Sequence, residues 1–300
     1  MIAFVDNTGW WCRGIEEKSY EILQPKHRAE EIYPTSGYEE AETMLEKEKE
    51  FDPWIITFCC NWGSFAGADF SKIGGFDFPK SIRAVKIVCA NSLDPMIVLE
   101  TLREGAEGVI VLGCQPGKCR QKIDDNGAGG NIRLIEKLLD LAGLDKGRVF
   151  LGNASADDFT GFGKLITDFI ARIKPLGPNQ VEERGLDEKL RIASIAASSI
   201  RSGILARKRG ELIDKGNIYS ETFTERQFDL VLDPAIEQEY KRAGVIHLAR
   251  EGAKVGDIAD GLGIAEDEVM IHITTLRQEG KLVLDGFEND GKPIFRSVIA

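Results

Sequence analysis

Four short runs of hydrophobic residues alternate with segments of helical periodicity between residues 53 and 175. Strands that are apolar almost throughout are buried on both faces, which is typical of a parallel sheet covered by helices. The pattern predicts a small flavodoxin-like α/β domain with helices on both faces of the sheet. Its predicted strands lie near 54–60, 83–89, 108–114 and 147–152, and its predicted helices near 94–104, 130–142 and 157–173.

The pattern changes after the proline- and glycine-rich segment at 174–178. Small apolar residues at helical spacing predict one long helix over 187–216, with a basic far end. Residues 237–299 show three helical segments and then two short strands around a polar turn, which is the winged-helix layout. We therefore expect four parts: an N-terminal arm (1–52), the α/β domain (53–178), a linking helix and connector (179–235), and a C-terminal helical, winged-helix domain (236–300).

Composition narrows the class of protein. The chain has 300 residues, of which 43% are hydrophobic and 29% charged, and its net charge is −11. This length suits two or three domains, and the acidity excludes a broadly basic protein that binds phosphates along its whole surface. The apolar runs are far shorter than the roughly 20 residues that cross a bilayer, and the N-terminus lacks a signal-peptide pattern. We expect a cytoplasmic protein without membrane contact.

Five of the six cysteines lie between residues 59 and 119. Cys59, Cys60, Cys89 and Cys114 fall at the ends of predicted strands, and Cys119 lies in the loop that follows. The carboxyl ends of parallel strands meet at one edge of the sheet, where such folds build their sites. Disulfides are rare in the cytoplasm, whereas thiolates are the preferred ligands of iron–sulfur clusters and of zinc. The sequence therefore predicts a thiolate cage that holds an iron–sulfur cluster.

The spacing favours some ligands over others. Structural zinc sites usually show two close cysteine knuckles, whereas here only Cys114 and Cys119 form such a pair; spacing alone leaves both metals open. Successive side chains of a strand point to opposite faces, so Cys59 and Cys60 are not expected to bind the same iron. All five cysteines are candidate metal ligands, and Cys60 is preferred to its neighbour because it lies at the strand end. The expected cluster ligands are Cys60, Cys89, Cys114 and Cys119.

Three segments carry a resemblance to a known family. They are FCCNWGSFAGAD (58–69), the pair Val88-Cys89 followed by Asp94-Pro95, and EGAEGVIVLGCQPGKC (104–119). They resemble the delta subunit of methyl-viologen-reducing hydrogenase, over roughly residues 53–178. The resemblance implies a non-catalytic electron-transfer subunit that carries a [2Fe–2S] cluster. Its implied partners are the flavoprotein and iron–sulfur subunits of a heterodisulfide-reductase-like complex, together with a hydrogenase or other dehydrogenase subunit.

The chain departs from the family pattern around the cysteines. Gly63 stands where the family commonly has a cysteine, and Lys118 and Arg120 replace an aspartate and a histidine beside Cys119. Positive charge stabilises the more negative, reduced form of a cluster, so we expect a raised reduction potential and a partner other than the family's hydrogenase. The glycine–asparagine segment at 126–131 is also rewritten, and we expect it to form a loop after the cluster.

Two other functions are compatible with parts of the sequence. An iron–sulfur domain joined to a winged helix is an arrangement that would also suit a redox-sensing transcriptional regulator. However, residues 237–300 carry 8 Lys and Arg against 12 Asp and Glu, and the expected recognition helix begins with the acidic run 266–268. This surface would repel phosphates, so nucleic acid is not an expected partner and a protein-binding winged helix is favoured. A thiol–disulfide protein built on Cys59 and Cys60 leaves three thiols unexplained.

Overall fold

The computed structural model describes residues 51–65, 79–115, 117–119, 126–155 and 159–299. Apart from its last two residues, the expected N-terminal arm lies outside these ranges. Strands β1 (Ile55–Cys60), β2 (Ile82–Ile87), β3 (Gly108–Gly113) and β4 (Val149–Asn153) form a parallel sheet in the order β2-β1-β3-β4. This is the order of the first four strands of a flavodoxin-like sheet. The predicted α/β class is confirmed.

Helices cover both faces of this sheet. Helices α1 (Pro95–Arg103) and α2 (Asn126–Ala142) pack on one face, and α3 (Phe159–Ile173) packs on the other. Every residue of β1 and β3 is buried, as expected for central strands between two helical layers. The side chain of Asp94 accepts a hydrogen bond from the Met96 amide and caps α1, whose first residue is Pro95.

The connections of the sheet create a crevice at its carboxyl edge. The chain runs from β1 to β2 on one side and then crosses to β3 on the other side of β1. The carboxyl ends of β1 and β3 therefore flank a topological switch point. Open α/β sheets bind their ligands at such a point, because the loops that leave the two strands diverge there.

The long helix predicted over 187–216 is wrong in one respect, because it is divided. Helix α4 (Asp187–Ala197) ends before two serines, and α5 (Ile200–Gly210) then leads into a π-helical turn (Glu211–Lys215). Ser199 has an extended backbone, and its side chain accepts a hydrogen bond from the Ser202 amide. Serine at such a position caps a new helix in preference to continuing the old one.

The segment expected as a linking helix and connector packs into a core. Helix α6 (Glu225–Leu248) begins at Glu225, where Thr224 and Gln227 form a reciprocal capping box, and not near Glu237 as predicted. One hydrophobic cluster contains buried residues of the sheet, of α1 and α2, and of α4, α5 and the first half of α6. Residues 186–243 thus extend the core of the α/β domain. The buried residues that this segment adds to the core include Leu190, Ala193, Ala206, Phe228, Leu232 and Ile236.

The second half of α6 belongs to a C-terminal unit. It packs with α7 (Val255–Leu262) and α8 (Glu266–Gln278). Strands β5 (Ala253–Lys254), β6 (Leu282–Phe287) and β7 (Pro293–Ser297) form an antiparallel sheet in the order β5-β7-β6. The predicted helical C-terminal region with its hairpin is confirmed. Among the described helices, none combines the length and the apolar character that crossing a bilayer requires.

Candidate metal centre

Four cysteines line one pocket of about 270 Å³ at the carboxyl edge of the parallel sheet. Cys60 ends β1, Cys89 lies two residues beyond β2, Cys114 directly follows β3, and Cys119 lies in the segment after it. Each cysteine therefore reaches the pocket because the strand before it ends at this edge. The pocket coincides with the switch point between β1 and β3. Its other walls come from Ala90, Asn91, Gly113, Ala128, Gly129, Leu151 and Asn153.

Two of these cysteines form a close pair. The Sγ atoms of Cys60 and Cys114 lie 3.6 Å apart, and the two residues are 2% and 8% exposed. Two thiolates on one tetrahedral metal, with bonds of about 2.3 Å, lie about 3.8 Å apart. The pair thus has the separation of two ligands of a single metal. Among the described residues, no three His, Cys, Asp or Glu side chains lie close enough to hold one metal ion. The chemistry of the four donors fits an iron–sulfur cluster.

Cys59 lies away from this pocket. It is fully buried in the core on the α3 face of the sheet, with Ile55, Ile110 and Leu112, and its Sγ lies 3.8 Å from the Thr57 carbonyl oxygen. This follows from the alternation of side chains along β1, which sends Cys59 and Cys60 to opposite faces. The structure therefore brings together Cys60, Cys89, Cys114 and Cys119 and separates Cys59 from them.

The environment of Cys114 favours its neutral thiol. Burial raises its pKa to about 12, and the hydrogen bond with Cys60 and the negative charges that Cys60, Cys119 and Cys89 can carry act in the same direction. The thiol of Cys114 by itself is therefore protonated at neutral pH. A metal that binds thiolates must displace that proton.

The start of α2 forms one wall of the pocket. Helix α2 begins at Asn126, so the loop predicted for the rewritten segment is wrong, and Gly129 and Gly130 lie in the first turns of the helix. The amide of Ala128 donates a hydrogen bond of 2.9 Å to Asn91 Oδ1, which ties the turn after Cys89 to this helix. Because Ala128 and Gly129 line the pocket, the positive end of the α2 dipole lies beside it. Sequence reasoning missed Asn91, which carries no motif of its own.

The turn after Cys60 leaves little room for an additional side chain beside Cys114. A Cβ atom at Gly63 would lie 3.0 Å from Cys114 Sγ and 3.4 Å from the Ala154 carbonyl oxygen. Position 63, where the resembled family commonly has a cysteine, thus borders the sulfur pair. The buried Ser64 was also missed; its hydroxyl donates to the Leu112 carbonyl at 2.8 Å and fastens this turn to β3.

Of the two basic residues that flank Cys119, the structure describes only Lys118. Lys118 is exposed and directly precedes the pocket residue Cys119. Arg120 lies outside the described residues. Histidines contribute nothing to the pocket within the described part of the chain, because His247 lies on α6 and His272 on α8, in the C-terminal half.

Comparison with known proteins matches the part of the chain that holds the pocket. A family model described as methyl-viologen-reducing hydrogenase, delta subunit, matches residues 55–177. The vhc iron-sulfur subunit of the F420-non-reducing hydrogenase of Methanococcus voltae is 32% identical over 135 residues, which are 45% of this chain and 94% of that protein. The iron-sulfur subunit of the F420-non-reducing hydrogenase of Archaeoglobus profundus is 33% identical over 134 residues, or 45% of this chain and 98% of that protein.

A longer protein contains a similar stretch. It is one of the subunits of the ferredoxin:CoB-CoM heterodisulfide reductase of Methanosarcina mazei, and it is 31% identical over 126 residues. These residues are 42% of this chain but 16% of that protein. All four pocket cysteines lie inside the family match, and residues 178–300 lie outside it.

Proposed function

Because the chain belongs to the methyl-viologen-reducing hydrogenase delta subunit family, we propose that it is an electron-transfer subunit with a [2Fe–2S] cluster on Cys60, Cys89, Cys114 and Cys119. Such a cluster, when bound by four thiolates, accepts and gives up one electron at a time. The proposal rests above all on one observation: four thiols from three strand ends and one loop line a single pocket, and two of them lie 3.6 Å apart.

The residues of the pocket are suited to hold such a group. A cluster with two metals needs two thiolates for each metal. It therefore requires two close pairs of cysteines, and the four sulfurs need not surround a single point. Cys60 and Cys114 supply one such pair, and Cys89 and Cys119, which line the same pocket, would supply the other two thiolates. Burial of Cys60, Cys89 and Cys114 keeps water from the sulfurs, while Cys119 is partly exposed and gives the site an outer side.

We propose that the partners are a dehydrogenase or hydrogenase and the subunits of a heterodisulfide-reductase-like complex, all in the cytoplasm. The names of the relatives support this assignment, since two are hydrogenase iron–sulfur subunits and one is a heterodisulfide reductase subunit. In the Methanosarcina mazei protein the similar stretch shares one chain with the rest of that reductase subunit. A domain of this kind is therefore joined directly to a heterodisulfide reductase subunit in that protein.

For the C-terminal unit we propose a winged-helix fold that binds a protein. The first turn of α8 carries Glu266, Asp267 and Glu268, of which only Glu268 forms an ion pair within the described residues, with Lys241 at 2.8 Å. Farther along the same helix, Met270 and Ile271 are 41% and 64% exposed. Carboxylates repel DNA phosphates, whereas exposed apolar side chains with a polar border are suited to a protein interface. The redox-sensing regulator is therefore the second candidate.

Anaerobic purification tests the proposal directly. We expect about two irons and two acid-labile sulfides for each chain and an electron paramagnetic resonance signal that appears on one-electron reduction. Zinc in place of iron, or iron without sulfide, would refute the cluster. Co-purification with a flavoprotein subunit supports the relay, whereas a salt-dependent shift of duplex DNA by the full chain would favour the regulator.

A further inference from the structure

Helix α5 lies outside the family match but rests against the helix that walls the cysteine pocket. At Gly130 of α2 an added Cβ atom would collide with the carbonyl oxygen of Ala206 in α5. The two helices therefore touch backbone to backbone, at a distance that only a glycine permits. This contact holds α5 at a fixed place relative to the first turns of α2.

At the end of α5, Arg209 extends this contact towards the pocket. Its Nη1 lies 3.8 Å from the position that a Cβ atom would take at Gly129, and Gly129 lines the pocket with the four cysteines. The Arg209 side chain is only 17% exposed, and its Nη2 donates a hydrogen bond of 2.7 Å to Glu225. Within the described residues its buried Nε has no hydrogen-bond partner. A positive charge is thus held in poorly solvated surroundings next to Gly129, a residue of the pocket wall.

We propose that Arg209, fixed beside the pocket wall, raises the reduction potential of the cluster that the pocket would hold. The inference rests on the proposed function. Reduction adds a negative charge, and a fixed cation in a medium of low polarity stabilises that charge more than a solvated cation does. Glu225 offsets part of the effect, but it is 73% exposed, so water screens its charge more strongly.

The same helix offers a matched control. Arg207 lies two residues away and carries the same charge, but it is exposed, and its Nε donates to the Gly203 carbonyl of its own helix at 3.0 Å. Neutralising Arg207 removes one positive charge from α5 without touching the α2 contact. Neutralising Glu225 removes the counter-charge of Arg209 and should act in the opposite direction.

The test is a redox titration of the full chain, loaded with its cluster, in the Arg209→Gln, Arg207→Gln and Glu225→Gln variants. We expect Arg209→Gln to lower the equilibrium constant for reduction of the cluster about threefold to tenfold. For a one-electron couple this lowers the midpoint potential by about 28 to 59 mV. Arg207→Gln should leave the midpoint unchanged, and Glu225→Gln should raise it. Equal midpoints for the Arg209 and Arg207 variants, or shifts of the same sign for Arg209→Gln and Glu225→Gln, would overturn the proposal.

An Arg209→Lys variant separates the effect of the charge from a structural effect of losing the arginine side chain. It keeps the charge and should recover most of the wild-type midpoint, whereas a midpoint as low as that of Arg209→Gln would contradict a role for the charge. Should Arg209→Gln fail to fold, the midpoints of Arg209→Lys and Glu225→Gln are compared with that of wild type. A raised midpoint in Glu225→Gln supports the proposal, because only the loss of the negative charge would raise it, and an unraised midpoint there would contradict it. A wild-type chain without iron and sulfide would instead refute the proposed function itself.

Discussion

The Sγ atoms of Cys60 and Cys114 lie 3.6 Å apart, although 54 residues separate them in the chain. Parallel pairing of β1 with β3 produces this contact, since Cys59 is in register with Leu112 and the two strands end side by side. One pair of buried thiols thus lines the pocket, and the residues around it can be tested individually.

Replacing cysteines one at a time should separate the pocket from the core. We expect Cys114→Ala to lose most of the bound iron, because it removes half of the close pair. Cys59→Ala is the matched control, since the neighbouring Cys60 stays in place and Cys59 packs on the other face of the sheet. It should keep the iron content of the wild type. Iron and sulfide analysis after anaerobic purification measures both variants, and equal iron loss in the two would contradict the assignment.

Adding a single methyl group at Gly63 should disturb the same pair. In Gly63→Ala the new Cβ atom lies 3.0 Å from Cys114 Sγ, which is closer than ordinary van der Waals contact. We expect a reduced iron content and an altered electron paramagnetic resonance signal of the remaining cluster. Gly286→Ala serves as the control, because nothing lies within 4 Å of its added Cβ atom. A Gly63→Ala variant that matches wild type in both measurements would show that the turn can yield.

The charge beside Cys119 should affect the reduction potential. Lys118→Asp replaces a cation by the residue of the family pattern, and a negative charge opposes the electron that reduction adds. We expect a lower midpoint in a redox titration. Lys164→Asp makes the same change on α3, on the other face of the sheet, and should leave the midpoint where it is. An unchanged or raised midpoint for Lys118→Asp would remove the physical basis for a raised potential in this chain.

A largely buried ion pair lies at the amino edge of the parallel sheet, opposite the pocket, and breaking it should lower the stability. Arg148 is 2% exposed, and its guanidinium donates to the carbonyl oxygens of Glu107 and Gly177 at 2.9 and 2.8 Å and lies 3.3 Å from the Glu107 carboxylate. Arg148→Met leaves the two carbonyl oxygens without this donor and removes the cation beside the Glu107 carboxylate, which keeps the hydrogen bond from the Asn179 amide. We therefore expect a loss of about 3 kcal/mol in the free energy of unfolding. Urea denaturation measures it.

The double variant Arg148→Met with Glu107→Leu checks the cause. It removes both charges, so part of the lost stability should return. If the double variant is instead clearly less stable than Arg148→Met, the stability lost in Arg148→Met comes from packing and not from the unpaired charge.

The C-terminal unit should lose stability in weak acid. His272 is 1% exposed, and burial, followed by the positive charge of Arg242, holds the pKa of its imidazole below the ordinary value. An unfolded histidine titrates near about 6.5, so below that pH the unfolded chain binds a proton that the folded chain resists. The contribution of the neutral, buried His272 to the free energy of unfolding is therefore fully present above this pH and declines as the pH falls below it.

Urea unfolding at two pH values tests this behaviour. Between about pH 7.5 and about pH 5.5, on either side of the ordinary histidine pKa, we expect wild type to lose more stability than His272→Leu. The variant should keep a smaller pH dependence from His247, because burial also lowers the pKa of that imidazole. Identical losses in wild type and His272→Leu would show that His272 takes up its proton freely in the folded chain.

The sequence by itself determined the class of the fold and the identity of the candidate ligands. A run such as 55–60 is apolar except for Thr57 because both faces of its strand are covered, so the local pattern already indicates a parallel sheet between helices. Cysteines at the carboxyl ends of parallel strands lie along one edge of the sheet, so the sequence already predicts that Cys60, Cys89 and Cys114 share that edge. These inferences need only the neighbours of each residue along the chain.

Only the tertiary structure decided which side chains meet across the fold. The strand order places Cys60 against Cys114. Glycines that suggest a loop lie inside α2 because Gly130 must admit the backbone of Ala206. Each of these outcomes depends on contacts between residues far apart in sequence, where a local preference of a fraction of a kcal/mol yields to packing.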